Sequence, residues 1–237
     1  IAITFMIPKE AFASPHFNLS VSSGDTPADY VDSIKILIFF TMLTLLPSFI
    51  IMFTSFTRIT VVFSLLKNAI GAQQSIPSQI LVGLAIFLTI FIMQPVYTEI
   101  NEVALKPYSN EEITFEQALE NASNPIKDFM LKETRQKDLE LFVDAAKLNS
   151  GELTRKNIPL YSIVPAFAIS ELKTAFQIGF LLFVPFMVID MIVASVLMSM
   201  GMMMLPPTVI SLAFKLLLFV MVDGWNLIVK SLITSFS

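Results

Sequence analysis

The sequence of 237 residues contains no cysteine, one histidine and only seven glycines. Without cysteine the chain has no disulfides, no thiolate metal ligands and no cysteine nucleophile. His16 alone does not make a histidine metal site, and the sequence has no glycine-rich phosphate loop and no G-x-S-x-G turn. The sequence therefore predicts no enzymatic activity, no metal and no cofactor.

Charged residues are scarce as well. They make up 14% of the chain, hydrophobic residues make up 55%, and the mean hydropathy is +0.75. Soluble globular chains carry about 25% charged and about 45–50% apolar residues. The apolar residues come in long runs, which indicates an all-α, polytopic membrane protein. The net charge of −4 comes without the clustered Lys and Arg that nucleic-acid binding needs.

The stretch 198–207 is unusual because seven of the thirteen methionines lie between positions 187 and 204. Gly201 admits positive φ, and Pro206 and Pro207 cannot continue a helix, so we expect a turn between two antiparallel apolar helices. The tip carries three consecutive methionines, Met202, Met203 and Met204. Their chemistry leaves two interpretations open: an ordinary hydrophobic tip, or a deformable thioether lining around something of variable shape.

The N-terminal region has the features of an exported segment. Residues 1–13 end in an A-x-A pattern at Ala11–Ala13 and resemble the end of a signal peptide that lacks its start. Residues 14–33 carry three aspartates and are predicted to be an acidic lead-in on the non-cytoplasmic side of the membrane.

Residues 34–98 are predicted to form a first apolar helical hairpin. Its first segment, Ile36–Thr57, has no charge and is kinked by Pro47, and its second lies near Ile80–Val96. The connection 57–79 carries two basic residues and no acidic residue. The positive-inside rule therefore places this connection in the cytoplasm.

Residues 99–160 form a polar insert that holds twelve of the nineteen acidic residues and eight of the fifteen basic ones. Thr114 and Gln117 predict a capping box, and Asn124–Pro125 predicts the start of a longer helix that Asn149–Gly151 would end. The apolar residues of this longer helix change face near 133–138. Either the helix breaks there or two neighbours clamp it, and we favour two neighbours. Segment counting places the insert outside the cytoplasm.

Residues 161–237 are predicted to form a second apolar hairpin with the methionine-rich tip. A charge at the bilayer centre costs roughly 2.5–3.5 kcal/mol, so each buried charge needs a partner or a wet cavity. A turn centred near 202–204 places Asp190 opposite Lys215, and we predict an ion pair between them. The small residues Ala175 and Gly179 offer a face for close helix packing. The candidate buried or assembly residues are Arg58, Glu171, Lys173, Asp190, Lys215 and Asp223.

Several long, ordered motifs resemble one family, the FliP family of type III secretion export-gate subunits, with its injectisome homologues. The resemblance runs from about residue 34 to the end of the sequence and is weakest in the insert. The motifs are Phe53–Ile59, Ala69–Ser75, Ser170–Gly179, Ile189–Asp190, Ala194–Met198, Gly201–Pro207 and Val222–Trp225. As a set they are closest to the flagellar members of the family.

The resemblance implies a helical oligomeric gate in which about five copies of the chain assemble with FliQ and FliR. FlhB and FlhA would adjoin this gate in the bacterial inner membrane and flagellar basal body, with much of the assembly on the periplasmic side. Bent hairpins would then pack against neighbouring subunits and membrane lipid. Unfolded flagellar subunits would pass through the gate, and Met202, Met203 and Met204 would form a gasket around them.

Two alternatives of other kinds remain. One is a proton- or ion-conducting channel subunit with Glu171, Asp190 and Lys215 along its path. The other is a purely structural scaffold of the secretion apparatus, whose tip would tolerate Gly and Ser. We favour a structural ion pair over a proton path, because no second acidic residue lies on the same stretch as Asp190.

Overall fold

The computed structural model describes residues 27–73, 75–148, 157–202 and 204–236. These residues form helices and no strand, as the sequence predicts. The predicted signal-peptide remnant at 1–13, most of the acidic lead-in and Met203 lie outside the described residues.

The chain divides into two compact units, residues 1–46 and 47–237. Helix α1, Pro27–Phe53, begins in the first unit and contains Pro47. In the first unit the hydroxyls of Thr41 and Thr44 donate to the carbonyls of Leu37 and Thr41 at 2.8 Å each. These bonds satisfy two hydroxyl groups within the uncharged part of the helix that follows Lys35.

The predicted first hairpin contains one more helix than we expected. Helix α1 ends at Phe53, helix α2 spans Phe56–Ile70 and helix α3 spans Ser78–Ile100. The Thr54 hydroxyl donates to the Ile50 carbonyl at 2.5 Å and accepts from the Phe56 amide at 3.3 Å. The Thr54 side chain thus bonds to the end of α1 and to the start of α2, at the break between the two helices. Residues 57–79, which we expected to be a connection between two helices, thus contain most of a further helix, α2, with buried side chains.

Helix α2 is the centre of the main core, because six of its nine apolar side chains are buried there. It packs most extensively against helix α7, Leu160–Ser199, and also contacts α3 and α8, Pro207–Met221. Gly71, at φ +84°, ends α2 with bonds to the carbonyls of Lys67 and Asn68. The buried α2 side chains of this core are Ile59, Val62, Phe63, Leu66, Ala69 and Ile70.

The insert is helical as predicted, but its boundaries differ. Helix α3 continues through a π-helical turn, Asn101–Leu105, into α4, Lys106–Ser109; α5 then spans Phe115–Glu133 and α6 spans Gln136–Ala145. The predicted capping box is confirmed, since the Thr114 hydroxyl accepts from the Gln117 amide and the Gln117 side chain accepts from the Thr114 amide.

Two expectations for the insert are wrong. Pro125 does not begin a helix: it lies inside α5 and is buried, so packing offsets the one hydrogen bond that proline removes. The helix also breaks after Glu133 rather than being clamped whole, because Thr134 and Arg135 are extended. A smaller core joins α5 to α7 through Met130, Leu131, Ile163 and Phe167.

Two helices are long and apolar enough to cross a membrane, the stretch Ser78–Ser109 and α7. Two bent helix pairs pass the same test of length and composition, so the described residues contain up to four candidate spans if each bent pair counts as one. One of these pairs is α8 with α9, Gly224–Thr234, which are bent by 64°.

Candidate functional site

The methionine-rich stretch forms the predicted turn between α7 and α8. Gly201 has φ +73°, and the Met202 amide donates to the Leu197 carbonyl at 3.0 Å. Pro206 is the N-cap of α8 and Pro207 is its first residue. Met204 is 98% exposed and Met202 is 40% exposed. The tip thus presents thioethers to its surroundings instead of burying them in the chain's own core.

An apolar groove of about 410 Å³ lies between α7 and α8 beside the tip. All of its lining side chains are aliphatic or aromatic: Ile189, Ile192, Val193, Val196, Leu197, Ile210 and Phe214. A groove of this kind offers surface area and no fixed hydrogen-bonding partner. It therefore extends the non-specific chemistry of the methionines along the hairpin.

The ion pair predicted between Asp190 and Lys215 is confirmed. The Lys215 ammonium lies 2.6 Å from one Asp190 carboxylate oxygen, and the Ser211 hydroxyl donates to the other at 2.6 Å. Lys215 also donates to the Ala69 carbonyl at 3.1 Å, in the last turn of α2. The Lys215 side chain is 9% exposed and that of Asp190 is 37% exposed. The pair therefore ties both arms of the hairpin to α2.

Arg58 is the centre of a second buried charge cluster. Its Nε lies 2.9 Å from Glu171 Oε2, and its NH2 lies 2.5 Å from Glu171 Oε1 and 2.8 Å from Glu133 Oε2. Arg58 and Glu171 are 2% and 0% exposed. A planar guanidinium with five donors satisfies such a set where a lysine would not. The cluster joins α2, α5 and α7.

The chain after α9 also contacts Arg58. The guanidinium donates to the Ser235 carbonyl at 2.9 Å, and its central carbon lies 3.7 Å from the centre of the Phe236 ring. The Phe236 ring stacks on Phe129 of α5, with centroids 6.2 Å apart. Sequence reasoning missed Ser235, Phe236 and Glu133, because pairings between residues so distant in the chain have no local signal.

Two predicted buried charges are exposed in the single chain. Lys173 is exposed because it follows Glu171 by two positions, which is about 200° around the helix, so it faces the opposite way. Asp223 is exposed at the bend between α8 and α9, where its φ of 50° is a left-handed conformation that aspartate tolerates. Neither residue belongs to the buried charge clusters.

A third polar contact fastens the helix break of the insert to α7. Ser170 Oγ donates to Asp138 Oδ2 at 2.6 Å, Arg135 NH2 donates to the same oxygen at 2.5 Å, and the Arg135 amide donates to Ser170 Oγ at 3.1 Å. The hydrogen bond from Ser170, with the nearby Arg135 charge, lowers the pKa of Asp138 below its ordinary value of 3.8. These hydrogen bonds hold the break between α5 and α6 against α7.

The small-residue face predicted on α7 packs against α2. Ala175 is fully buried, and a Cβ placed on Gly179 would lie 2.1 Å from Leu65 Cδ1. The two helices therefore approach closely at Gly179, as the spacing of small residues predicts. This approach fixes the position of α7 against α2 near Gly179.

Within the described ranges no group of three or more His, Cys, Asp or Glu side chains is placed to hold a metal. The arrangement instead offers a flexible apolar tip on a hairpin that two buried charge clusters and one close helix contact hold in place. Such a tip offers apolar contact surface that does not depend on specific hydrogen bonds.

The chain is similar to known proteins over nearly its whole length. Residues 39–232 match the FliP family. The chain is 54% identical over 218 residues to the flagellar biosynthetic protein FliP of Bacillus subtilis (strain 168). The aligned residues cover 92% of this chain and 98% of that protein. It is 48% identical over 239 residues to the protein of the same name from Aquifex aeolicus (strain VF5), covering 99% and 98%. With that from Treponema denticola the identity is 43% over 230 residues.

Proposed function

The chain belongs to the FliP family, and on this premise we propose that it is a core, non-enzymatic subunit of the flagellar type III protein export gate. The observation that carries the proposal is the hairpin tip, where Met204 is 98% exposed at the end of a firmly held helix pair. In this proposal Met202, Met203 and Met204 form a gasket that closes the pore at rest and re-packs around an unfolded flagellar subunit during export.

The assembly that we propose contains about five copies of the chain in a helical arrangement with FliQ and FliR, adjoined by FlhB and FlhA. It lies at the bacterial inner membrane within the flagellar basal body, with much of its mass on the periplasmic side. Exposed apolar side chains along α7, such as Phe180 at 66% and Met191 at 66%, support this arrangement. In the gate they pack against neighbouring subunits or lipid. The four apolar segments serve as bent hairpins in this assembly.

A gasket is tested by permeability. Replacement of Met202, Met203 and Met204 by alanine should make cells or proteoliposomes that contain the assembled gate leak small ions, because the shorter side chains leave the closed pore unfilled. Some protein export should continue, since the tip makes no specific contact with the exported chain. Exposed Met221 at the far end of α8 is the matched control, and Met221→Ala should not leak. Unchanged permeability of the triple variant would refute the gasket.

The rival function, a proton- or ion-conducting subunit, uses Glu171, Asp190 and Lys215. The structure offers it little support. Glu171 and Asp190 are nineteen positions apart on α7, roughly 28 Å at 1.5 Å per residue, and Glu171 is fully enclosed by its partners. Conduction predicts that Asp190→Asn abolishes flux and leaves assembly intact, whereas the gate predicts that assembly fails first.

A further inference from the structure

The polar insert carries an apolar patch that the chain does not cover. Leu105, Tyr108, Phe115 and Leu119 are 55%, 47%, 62% and 64% exposed. The rings of Tyr108 and Phe115 meet edge to face, with centroids 6.1 Å apart. Leu105 lies one helical turn before Tyr108, and Leu119 lies one turn after Phe115, so the four side chains are contiguous. We call these four residues the insert patch.

The patch is held on fixed supports. The Thr114–Gln117 capping box sets the first turn of α5, which carries Phe115. The Asn121 side-chain amide donates to the Val103 carbonyl in the π-helical turn at 3.1 Å, which ties α5 to the helix that carries Leu105 and Tyr108. A pre-organised apolar surface loses little conformational entropy when a partner binds it.

Acidic residues predominate in the sequence around the insert patch. From position 99 to position 120 the sequence has six glutamates and one lysine. Glu116 lies in the first turn of α5, where the helix dipole favours a negative charge. The helix dipole does not account for the other glutamates around the patch, which we call its rim. None of the rim residues forms an ion pair within the part of the chain that the structure describes. The exposed rim residues are Glu102, Glu111, Glu112, Glu116 and Glu120.

This charge decides between the possible occupants. A second copy that presented the same face would bring like charges together, and an anionic lipid surface would be repelled in the same way. Leu105 and Tyr108 lie at the end of the apolar stretch Ser78–Ser109, but Phe115 and Leu119 lie beyond it and beyond the charges of Glu99 and Glu102, so that stretch does not account for the exposure of the whole patch. A partner with an apolar centre and a positively charged rim matches both the apolar and the charged features.

We propose that the insert patch is a docking surface for another protein, which contributes an amphipathic helix with apolar side chains at i and i+4 and lysines or arginines on their flanks. Tyr108 and Phe115 receive the apolar side chains, as aromatic residues do at the centres of interfaces. The glutamates of the rim steer and orient the basic flanks. This inference does not depend on the gate or on the gasket.

The probe is a pair of fluorescent helical peptides that share one apolar stripe with leucine at i and i+4 and differ only in flanking lysines or flanking glutamates. Binding to the full chain in lipid nanodiscs is measured by fluorescence anisotropy. We expect the lysine peptide to bind at least about tenfold more tightly than the glutamate peptide, a difference of roughly 1.4 kcal/mol. Added salt should reduce this preference, because it screens exposed charges.

Variants separate the apolar and charged contributions. Phe115→Ser combined with Leu119→Ser should weaken binding of the lysine peptide at least about tenfold, whereas Leu141→Ser, at a side chain of α6 that is 60% exposed, should change nothing. Glu116→Lys with Glu120→Lys should reverse the preference between the two peptides. Circular dichroism of each variant verifies that the helices remain folded.

Three results would overturn the proposal. The first is equal binding of both peptides, which removes the charge match. The second is self-association by sedimentation that the Phe115 and Leu119 variant abolishes, which makes a second copy the occupant. The third is binding to phosphatidylcholine vesicles through the patch with no binding of the lysine peptide, which makes it a lipid contact.

Discussion

Removal of Asp190 alone should destabilise the chain more than removal of Asp190 and Lys215 together. Asp190→Ala leaves the Lys215 ammonium, whose side chain is 9% exposed, with the Ala69 carbonyl as its remaining partner. Breaking a buried pair from one side costs about 3–5 kcal/mol. Asp190 is 37% exposed, so solvent screens part of the interaction and we expect roughly 2–3 kcal/mol.

The double variant Asp190→Ala with Lys215→Ala removes the orphaned charge. It retains the cost of lost packing around the lysine stem and of the freed Ala69 carbonyl, which we place at about 1–1.5 kcal/mol. Ser211 keeps a second acceptor, the Thr208 carbonyl at 3.3 Å. The difference between the single and the double variant, about 1 kcal/mol or more, is the signature of an uncompensated buried charge.

The assay is denaturant unfolding of the protein in detergent, followed by the fluorescence of the single tryptophan, Trp225, which packs edge to face on Phe219 at 5.3 Å. Lys173→Ala is the matched control, because Lys173 is an exposed charge on the same helix as Asp190. It should change stability by less than about 0.5 kcal/mol. A double variant at least as unstable as Asp190→Ala would refute the reasoning.

Three further predictions concern the packing and the other polar clusters. Gly179→Leu should lower the unfolding midpoint because its Cβ would lie 2.1 Å from Leu65 Cδ1, and Leu65→Ala should partly restore it; no restoration would contradict the contact. Arg58→Lys should lower the free energy of unfolding by about 2–4 kcal/mol, because an ammonium cannot replace the bidentate bonds to Glu171. An unchanged free energy of unfolding would contradict the central role of Arg58 in its charge cluster. The pKa of Asp138 is lowered, so its contribution to folding stability is fully present above the ordinary pKa and is lost as the pH falls through the lowered pKa. Asp138→Asn should therefore remove this part of the loss of stability in acid. Identical curves of stability against pH for the two proteins below about pH 4 would count against this prediction.

The parts that the sequence predicts correctly are local. The turn at Gly201 and Pro206 follows from backbone restrictions, and the partner of Asp190 follows from counting residues outward from that turn. The capping box at Thr114 depends on two residues three positions apart. Each of these inferences uses the residues of one turn, one helix start or one hairpin, and the structure contains all three features.

The parts that the sequence does not predict depend on tertiary contacts. The sequence marks Arg58 as a candidate buried residue, but it does not identify Glu133 and Glu171 as the partners that explain its burial. The sequence shows a change of apolar face near Glu133. To choose between a broken helix and a whole helix clamped by two neighbours, one must know that Ser170 Oγ accepts a hydrogen bond from the Arg135 amide. The packing of α2, α5 and α7 settles both points, and the spacing of residues along the chain does not show which of these groups meet.

The measurement that tests the central proposal most directly is native mass spectrometry of this chain, co-expressed with its genomic neighbours and extracted in mild detergent. We predict a complex with about five copies of the chain and smaller membrane subunits in fixed number. Disruption of the Asp190 pair should reduce the yield of that complex. A stable monomer or dimer without partners would contradict the export-gate proposal, and the conducting-subunit alternative would then be the one to test.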